Sequence, residues 1–200
     1  MLIPYISHNQ QEIARWLPDK LLNKLIPETA QMLSTAHRVL DGEFKYYIEE
    51  LDRYVIPERI EFFKHVYRMK SFKIKRVYRL PDEREQILYK AYQPNNRFVV
   101  WVRKSVNNYY WLLGLYVALY TEYKLRKGKE HKSEQLMSLL LIKPQNLGNS
   151  IDTSYFMPPP RLPKMPNTGD LVRDYREYLM SKTYKMTWTK PGIRPEWWLK

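Results

Sequence analysis

An all-α fold is what the sequence predicts: a single compact helical domain with a Pro-rich extended segment and an aromatic C-terminal tail. Three observations carry that expectation. Apolar residues recur at helical spacing along most of the chain, stop signals fall at Asp41-Gly42 and Gly128, and residues 109–120 (YYWLLGLYVALY) are apolar on every side. A helix that is apolar all round belongs at the centre of a helical domain. The stretch is also shorter than the roughly 20 residues a membrane span needs, so no membrane partner is expected. Residues 1–8 (MLIPYISH) lack the basic lead and apolar run of a secretory signal, which gives an expectation of a cytoplasmic protein.

Taken in order, Pro18-Asp19 reads as a helix entry, followed by Leu21, Leu22, Leu25, Thr29 and Leu33 at helical spacing. Pro27 removes a backbone donor, so the helix either kinks there or a second helix begins with Pro27 in its first turn. Residues 43–70 again read helical, broken at Pro57. From Ser71 to Leu80 the pattern SFKIKRVYRL leaves two readings open, a short strand or an extended basic loop. Pro94-Asn95-Asn96 is a turn. Residues 97–127 follow as the longest helical stretch, with a break near Ser105-Val106-Asn107, and 131–142 form another helix that stops before Pro144. Six of the 14 prolines fall between Lys143 and Asn167, which predicts an irregular surface strap. A last helix covers about 170–184. The organisation is therefore a helical core (1–142), a Pro-rich strap (143–169), and a C-terminal helix with its tail (170–200) packed on the same domain.

Composition narrows the function classes. Of 200 residues, 44% are apolar and 14% aromatic, too many for a disordered chain. The absence of cysteine excludes a disulfide scaffold, a thiolate nucleophile and Cys-ligated metal sites. A formal net charge of +13 points to a polyanionic partner, nucleic acid first. No two of the six glycines make a G-x-G spacing, and no G-x-S-x-G elbow is present. None of His8, His37, His65 and His131 sits in a metal-ligand pattern. A metal would need His37 and His131 to meet Glu28 and Glu122, and neither a metal nor a cofactor is expected.

The positive signal is basic and aromatic. Between Lys64 and Lys90 lie nine Lys/Arg and three Asp/Glu, interleaved with Tyr67, Phe72 and Tyr78. Such a face neutralises phosphates and offers rings to unpaired bases, which makes Lys73, Lys75, Arg76 and Arg79 candidate contacts. On a helix, Trp101, Ser105 and Asn108 share one face, and Asn108 and Trp111 another. They form either a buried structural network or the wall of a pocket that hydrogen-bonds a base edge. Lys127, His131 and Lys132 put further charge at the exit of the same helical stretch.

Four blocks, PDKLLNKLIPETAQMLSTAHRVLDG (18–42), WVRKSVNNYYWLL (101–113), EYKLRKGKEHKSE (122–134) and RPEWW (194–198), resemble a family of small bacteriophage proteins that carry similar blocks in the same order. More remotely, the chain resembles the pyrimidine-dimer DNA glycosylases of the endonuclease V type, which are small, basic, helical and cysteine-poor. That resemblance implies cleavage of an N-glycosidic bond on a damaged or modified pyrimidine in duplex DNA, with no cofactor, in the cytoplasm of a host cell. An amine attacks C1′, a Schiff base forms, and β-elimination breaks the strand. Glu28 matches the family's glutamate. The amine would be that of Met1 or of a lysine, with Lys20, Lys24, His37, Arg38, Arg103 and Lys127 among the DNA contacts. The chain departs from the pattern in several places. Bulky Leu2 follows Met1, Ile26-Pro27-Glu28-Thr29 carries none of the flanking arginines, and Leu21, Asn96 and Arg97 stand where His and Pro are common. Two other functions fit the composition: a non-catalytic nucleic-acid-binding protein, and an enzyme acting on free nucleotides.

Overall fold

The structure, a computed structural model, describes residues 1–67, 72–148, 156–182 and 186–198. Helix α1 (Gln10–Trp16) starts at Asn9, whose side chain accepts the Glu12 N–H. Helix α2 (Asp19–Asp41) runs unbroken through Pro27. No second helix begins at Pro27, which lies inside the one helix. Asn23, four residues before Pro27, is exposed, so water can take the bond its carbonyl loses.

Helices α5 (Arg97–Lys104) and α6 (Val106–Lys127) meet at Ser105, which is extended and whose hydroxyl accepts the Asn107 N–H. The break expected there is real, and so is the end at Gly128, which takes the left-handed φ of 63° that a side chain would resist. Helix α6 is the axis of the molecule. Tyr109, Leu112, Leu115, Tyr116 and Leu119 are fully buried, and α1, α2 and α5 all pack on it. Among the described residues no helix is long and apolar enough to cross a membrane.

The all-α expectation fails between residues 43 and 79. Strands β1 (Glu43–Ile48), β2 (Arg53–Val55) and β3 (Ile74–Arg79) form a three-stranded antiparallel sheet in the order β2-β1-β3. The fold is therefore mixed α/β, though helix-dominated. The physical reason lies in alternation. Phe44, Tyr46 and Ile48 share one face of β1, a β-period pattern of aromatic and branched residues that pairing with a neighbour rewards more than helix formation does. Phe44 lies opposite Tyr78, Tyr46 opposite Arg76 and Ile48 opposite Ile74. Helix α3 (Ile60–Val66) closes this face, where Ile48, Val55, Ile60 and Phe63 make a small apolar cluster of their own. The basic segment 71–80 is thus a strand from Ile74, while residues 68–71 lie outside the described residues.

Two short helices complete the core, α4 (Arg84–Ile87) and α7 (Met137–Leu140), the latter preceded by a 3-10 turn over Lys132–Leu136. The helix expected over 131–142 is thus shorter and tighter at its start. In the Pro-rich strap the described residues hold no helix or strand, and 149–155 lie outside them. Helix α8 (Leu171–Met180) begins at Asp170, whose carboxylate accepts the Arg173 N–H. The helix ends at Met180 with Ser181 as its C-cap, short of the expected 184. The tail then returns to α1 and α2. Trp188 Nε1 donates to the Trp16 carbonyl, Ile193 N to Arg15 O, and Thr189 Oγ1 to Asp19 Oδ2.

Candidate nucleic-acid interface

One face of α2 organises the site. Glu28, Gln31, Thr35 and Arg38 recur at spacings of three and four, so they line one side of the helix. Against that side runs the irregular segment 88–92. Arg38 Nε donates to Tyr89 O, one terminal nitrogen to Tyr78 O and the Glu85 carboxylate, the other to the carbonyls of Glu85 and Leu88. All five guanidinium donors are used, and the residue is 1% exposed. Gln31 Nε2 donates to Lys90 O at 2.7 Å, and Thr35 Oγ1 accepts the Tyr92 N–H at 3.2 Å. The segment is therefore tied to the helix through Leu88, Tyr89, Lys90 and Tyr92.

Glu28 stands at the end of this row. Its Oε2 accepts the Leu2 N–H at 3.2 Å, and Lys24 Nζ is 3.6 Å from its Oε1. Glu28 and Met1 line a cleft of about 370 Å³ with Pro27, Gln31, Tyr92 and Gln93. Gln93 holds a φ of 45° at the turn and also lines the next cleft. That cleft, about 540 Å³, is walled by Phe44, Arg76, Tyr78, Ala91, Pro94, Asn95 and Asn96 besides. A third, of about 330 Å³, shares Arg76, Tyr78 and Ala91 with it and adds Tyr47, Tyr54, Lys75, Arg79 and Lys90. The first two clefts share Gln93, and the second and third share Arg76, Tyr78 and Ala91, although Tyr47, Tyr54 and Lys75 of the third belong to the opposite face of the sheet from Phe44 and Tyr78.

The charges within it differ in availability. Lys75 pairs with Glu49, and Arg79 with Glu85 at 3.2 Å while its guanidinium lies over the Tyr54 ring. Glu85, the carboxylate of the third cleft, is itself taken up by Arg38, Arg79 and the Leu80 N–H. Arg76 and Lys90 are exposed and have no carboxylate within 4 Å among the described residues. Lys73 is exposed beside them, its backbone N–H held by Glu50.

Several sequence candidates have structural duties instead. His37 is 1% exposed. Arg84 donates to its Nδ1, and its Nε2 lies 2.8 Å from the Tyr109 hydroxyl, which donates to Leu140 O. Burial, reinforced by the Arg84 charge, pushes its pKa down to about 4, so it is neutral at pH 7. A neutral ring that accepts at Nδ1 must donate at Nε2, and the bonds fit that tautomer. His131 accepts the Ser133 N–H through Nδ1 and meets Tyr123 edge-on, and Lys132 beside it is exposed. The four groups that a metal would have needed are apart: Glu122 is bound to Arg126, and no metal-holding cluster of His, Asp or Glu occurs among the described residues.

The Trp101–Trp111 face resolves toward a network. Asn108 donates to Trp101 O and accepts the Met157 N–H, while Trp101 Nε1 donates to Met157 O. Both amide groups of Asn108 are engaged, and the Trp101, Trp111 and Phe156 rings pack together. The chain's own strap occupies the space a base would take. Ser105 serves α6 as its N-cap. Lys127 pairs with Asp19 at 3.4 Å. Lys20 is exposed on α2 and engaged with neighbouring groups. Arg103 donates to Pro94 O behind the middle cleft, leaving its other terminal nitrogen buried without an acceptor, and burial lowers its pKa.

Phe44, Tyr47, Tyr54, Tyr92, Gln93 and Asn95 had no part in the sequence-derived site. The alternation of 43–48 was the available signal, obscured by its compatibility with a helix. No protein-family model matches the chain, and comparison with curated proteins and with solved structures finds no significant match.

Proposed function

We propose that this protein is a DNA base N-glycosylase with associated strand-cleaving activity, acting on a damaged or modified pyrimidine. The observation that carries the reading is the cleft that brings Glu28 and Met1 together and shares Gln93 with the neighbouring cleft walled by Phe44, Arg76 and Tyr78. A carboxylate beside an amine is the pair this chemistry needs. The amine attacks C1′ as the base departs, and the carboxylate stabilises the cation-like sugar and moves protons. Lys24 Nζ at 3.6 Å and the α-amine of Met1, one peptide from the Leu2 N–H, are the two amines at hand. The pyrimidine and the host-cell setting rest on the resemblance in sequence. DNA binding rests on charge and on the unpaired Arg76 and Lys90.

Borohydride trapping tests this directly. Duplexes bearing an abasic site, a thymine dimer or a modified pyrimidine are incubated with the protein and reduced, and adducts are mapped by mass. An adduct on Met1 or Lys24, lost in Glu28→Gln, is the expected result. Base release without an adduct defines a monofunctional glycosylase. Tight, salt-sensitive binding with neither leaves the second reading, a non-catalytic nucleic-acid-binding protein. The commitment of His37, Arg38 and most of the Asn108 face to internal bonds favours that alternative, because these groups are then not available to a substrate.

A further inference from the structure

We infer that the middle cleft, between the sheet and the 91–96 turn, is a binding site for an unpaired nucleotide, so that the protein prefers single-stranded to duplex nucleic acid. This rests on the functional reading for the class of partner, not for the chemistry at Glu28.

The cleft combines three features that a nucleotide matches together. Phe44 and Tyr78 are cross-strand partners whose rings lie 5.2 Å apart and line its wall, offering a base an aromatic surface. Asn95 brings an amide to the lining, suited to the donor and acceptor edge that pairing would otherwise hide, beside Gln93 and Asn96, whose amides bond to each other, to Tyr92 and to the first turn of α5. Arg76 supplies a cation with no carboxylate within 4 Å, and no carboxylate lines the cleft, among the described residues. An anion therefore meets no repulsion. A volume of about 540 Å³ lies in the range of small-ligand pockets and admits a single nucleotide. Stacking on a ring requires the base to leave its helix, and only a single strand offers bases without that cost.

The test is fluorescence anisotropy with a labelled ten-residue oligo(dT), the same strand annealed to oligo(dA), and a ten-residue oligo(U). Either single strand should bind at least tenfold more tightly than the duplex. Tyr78→Ala should weaken single-strand binding about tenfold, as loss of one stacked ring does. Because Tyr78 is half-buried, Arg76→Gln at an exposed position is run beside it. It should weaken binding and lower the slope of log K against log salt by about 0.7, one phosphate contact. Lys104→Gln, the same charge change at the far end of α5, should preserve the strand preference. Duplex binding as tight as single-strand binding, or unchanged affinity in both cleft variants, overturns the site. Trapped adduct with no strand preference refutes this site alone. Strand preference without an adduct refutes only the chemistry at Glu28.

Discussion

Acidification should destabilise this protein well above the carboxylate range, and His37 is the cause. Its ring is buried between Arg84, which donates to Nδ1, and Tyr109. Protonation would put a second cation against Arg84 and remove the acceptor that Arg84 uses. Asp41 and Asp82 stand nearby and oppose the effect without cancelling it, since the folded pKa is still about 4 against an ordinary 6.5. A depressed pKa means that the unfolded chain binds the proton first, so stability is present above pH 6.5 and is lost as pH falls toward 4. With these two values the loss is about 2 kcal/mol at pH 5 and about 3 kcal/mol at pH 4, a large share of the 5–15 kcal/mol typical of a domain. Urea unfolding at pH 7, 5 and 4 measures it, alongside His37→Gln, which lowers stability at pH 7 but should flatten the slope between pH 7 and 5. His131 contributes in the same direction in both proteins, so the difference isolates His37. Equal slopes for the two proteins, or a His37 ring that titrates near 6.5 by NMR, would refute the reasoning.

Three further outcomes follow from single contacts. Arg38→Leu leaves four carbonyls without their donor and removes one of the three partners of the Glu85 carboxylate, and should cost about 3–5 kcal/mol in chemical denaturation, with Arg38→Lys recovering little because an ammonium cannot reach the same five acceptors. Gly192→Ala would set a Cβ 2.4 Å from the Arg126 Cζ, itself buried and bonded to the last carbonyls of α1, so the tail must shift and the melting temperature fall by the equivalent of about 1–3 kcal/mol. Asn108→Ala strands the Trp101 carbonyl and the Met157 N–H at a cost of about 1–3 kcal/mol each, yet should leave oligo(dT) affinity unchanged below the melting transition.

Much of the helical architecture was legible in the sequence, for reasons that are local. An all-apolar α6 has only one place to go, Gly128 ends it by its conformation, and Ser105 both breaks and caps. The sheet was hidden because EFKYYI satisfies a helical spacing almost as well as a strand one. Its pairing with IKRVYR, 26 or more residues away, decides between them. Arg38, His37 and Arg126 show a different limit. Each carries hydrogen-bonding groups visible in the sequence, but burial decides whether such groups face a ligand or the chain's own partners. For Arg126 one clue existed, since Glu122 lies four residues earlier on an otherwise apolar helix. Glu28 was found by resemblance, and its place beside Met1 required the N-terminal segment to fold back on α2. The middle cleft itself was not legible, because its walls come from β1, β3 and the 91–96 turn.

The sheet's separate apolar cluster has a consequence for how the molecule opens. Ile48, Val55, Ile60 and Phe63 are its buried core, whereas α6 sits within a cluster drawn from nearly every helix. So small a core gives the 43–79 region the lower opening free energy, making it a cooperative unit of its own. In amide hydrogen exchange, β1 and β3 should lose protection through sub-global opening while α6 exchanges only with the whole protein. The carbonyl clasp of Arg38 on Tyr78 and on 85–89 is the seam between the two units. The middle cleft takes its walls from the sheet and from the 91–96 turn, so anything bound there bridges both and should slow exchange in the strands while leaving α6 untouched.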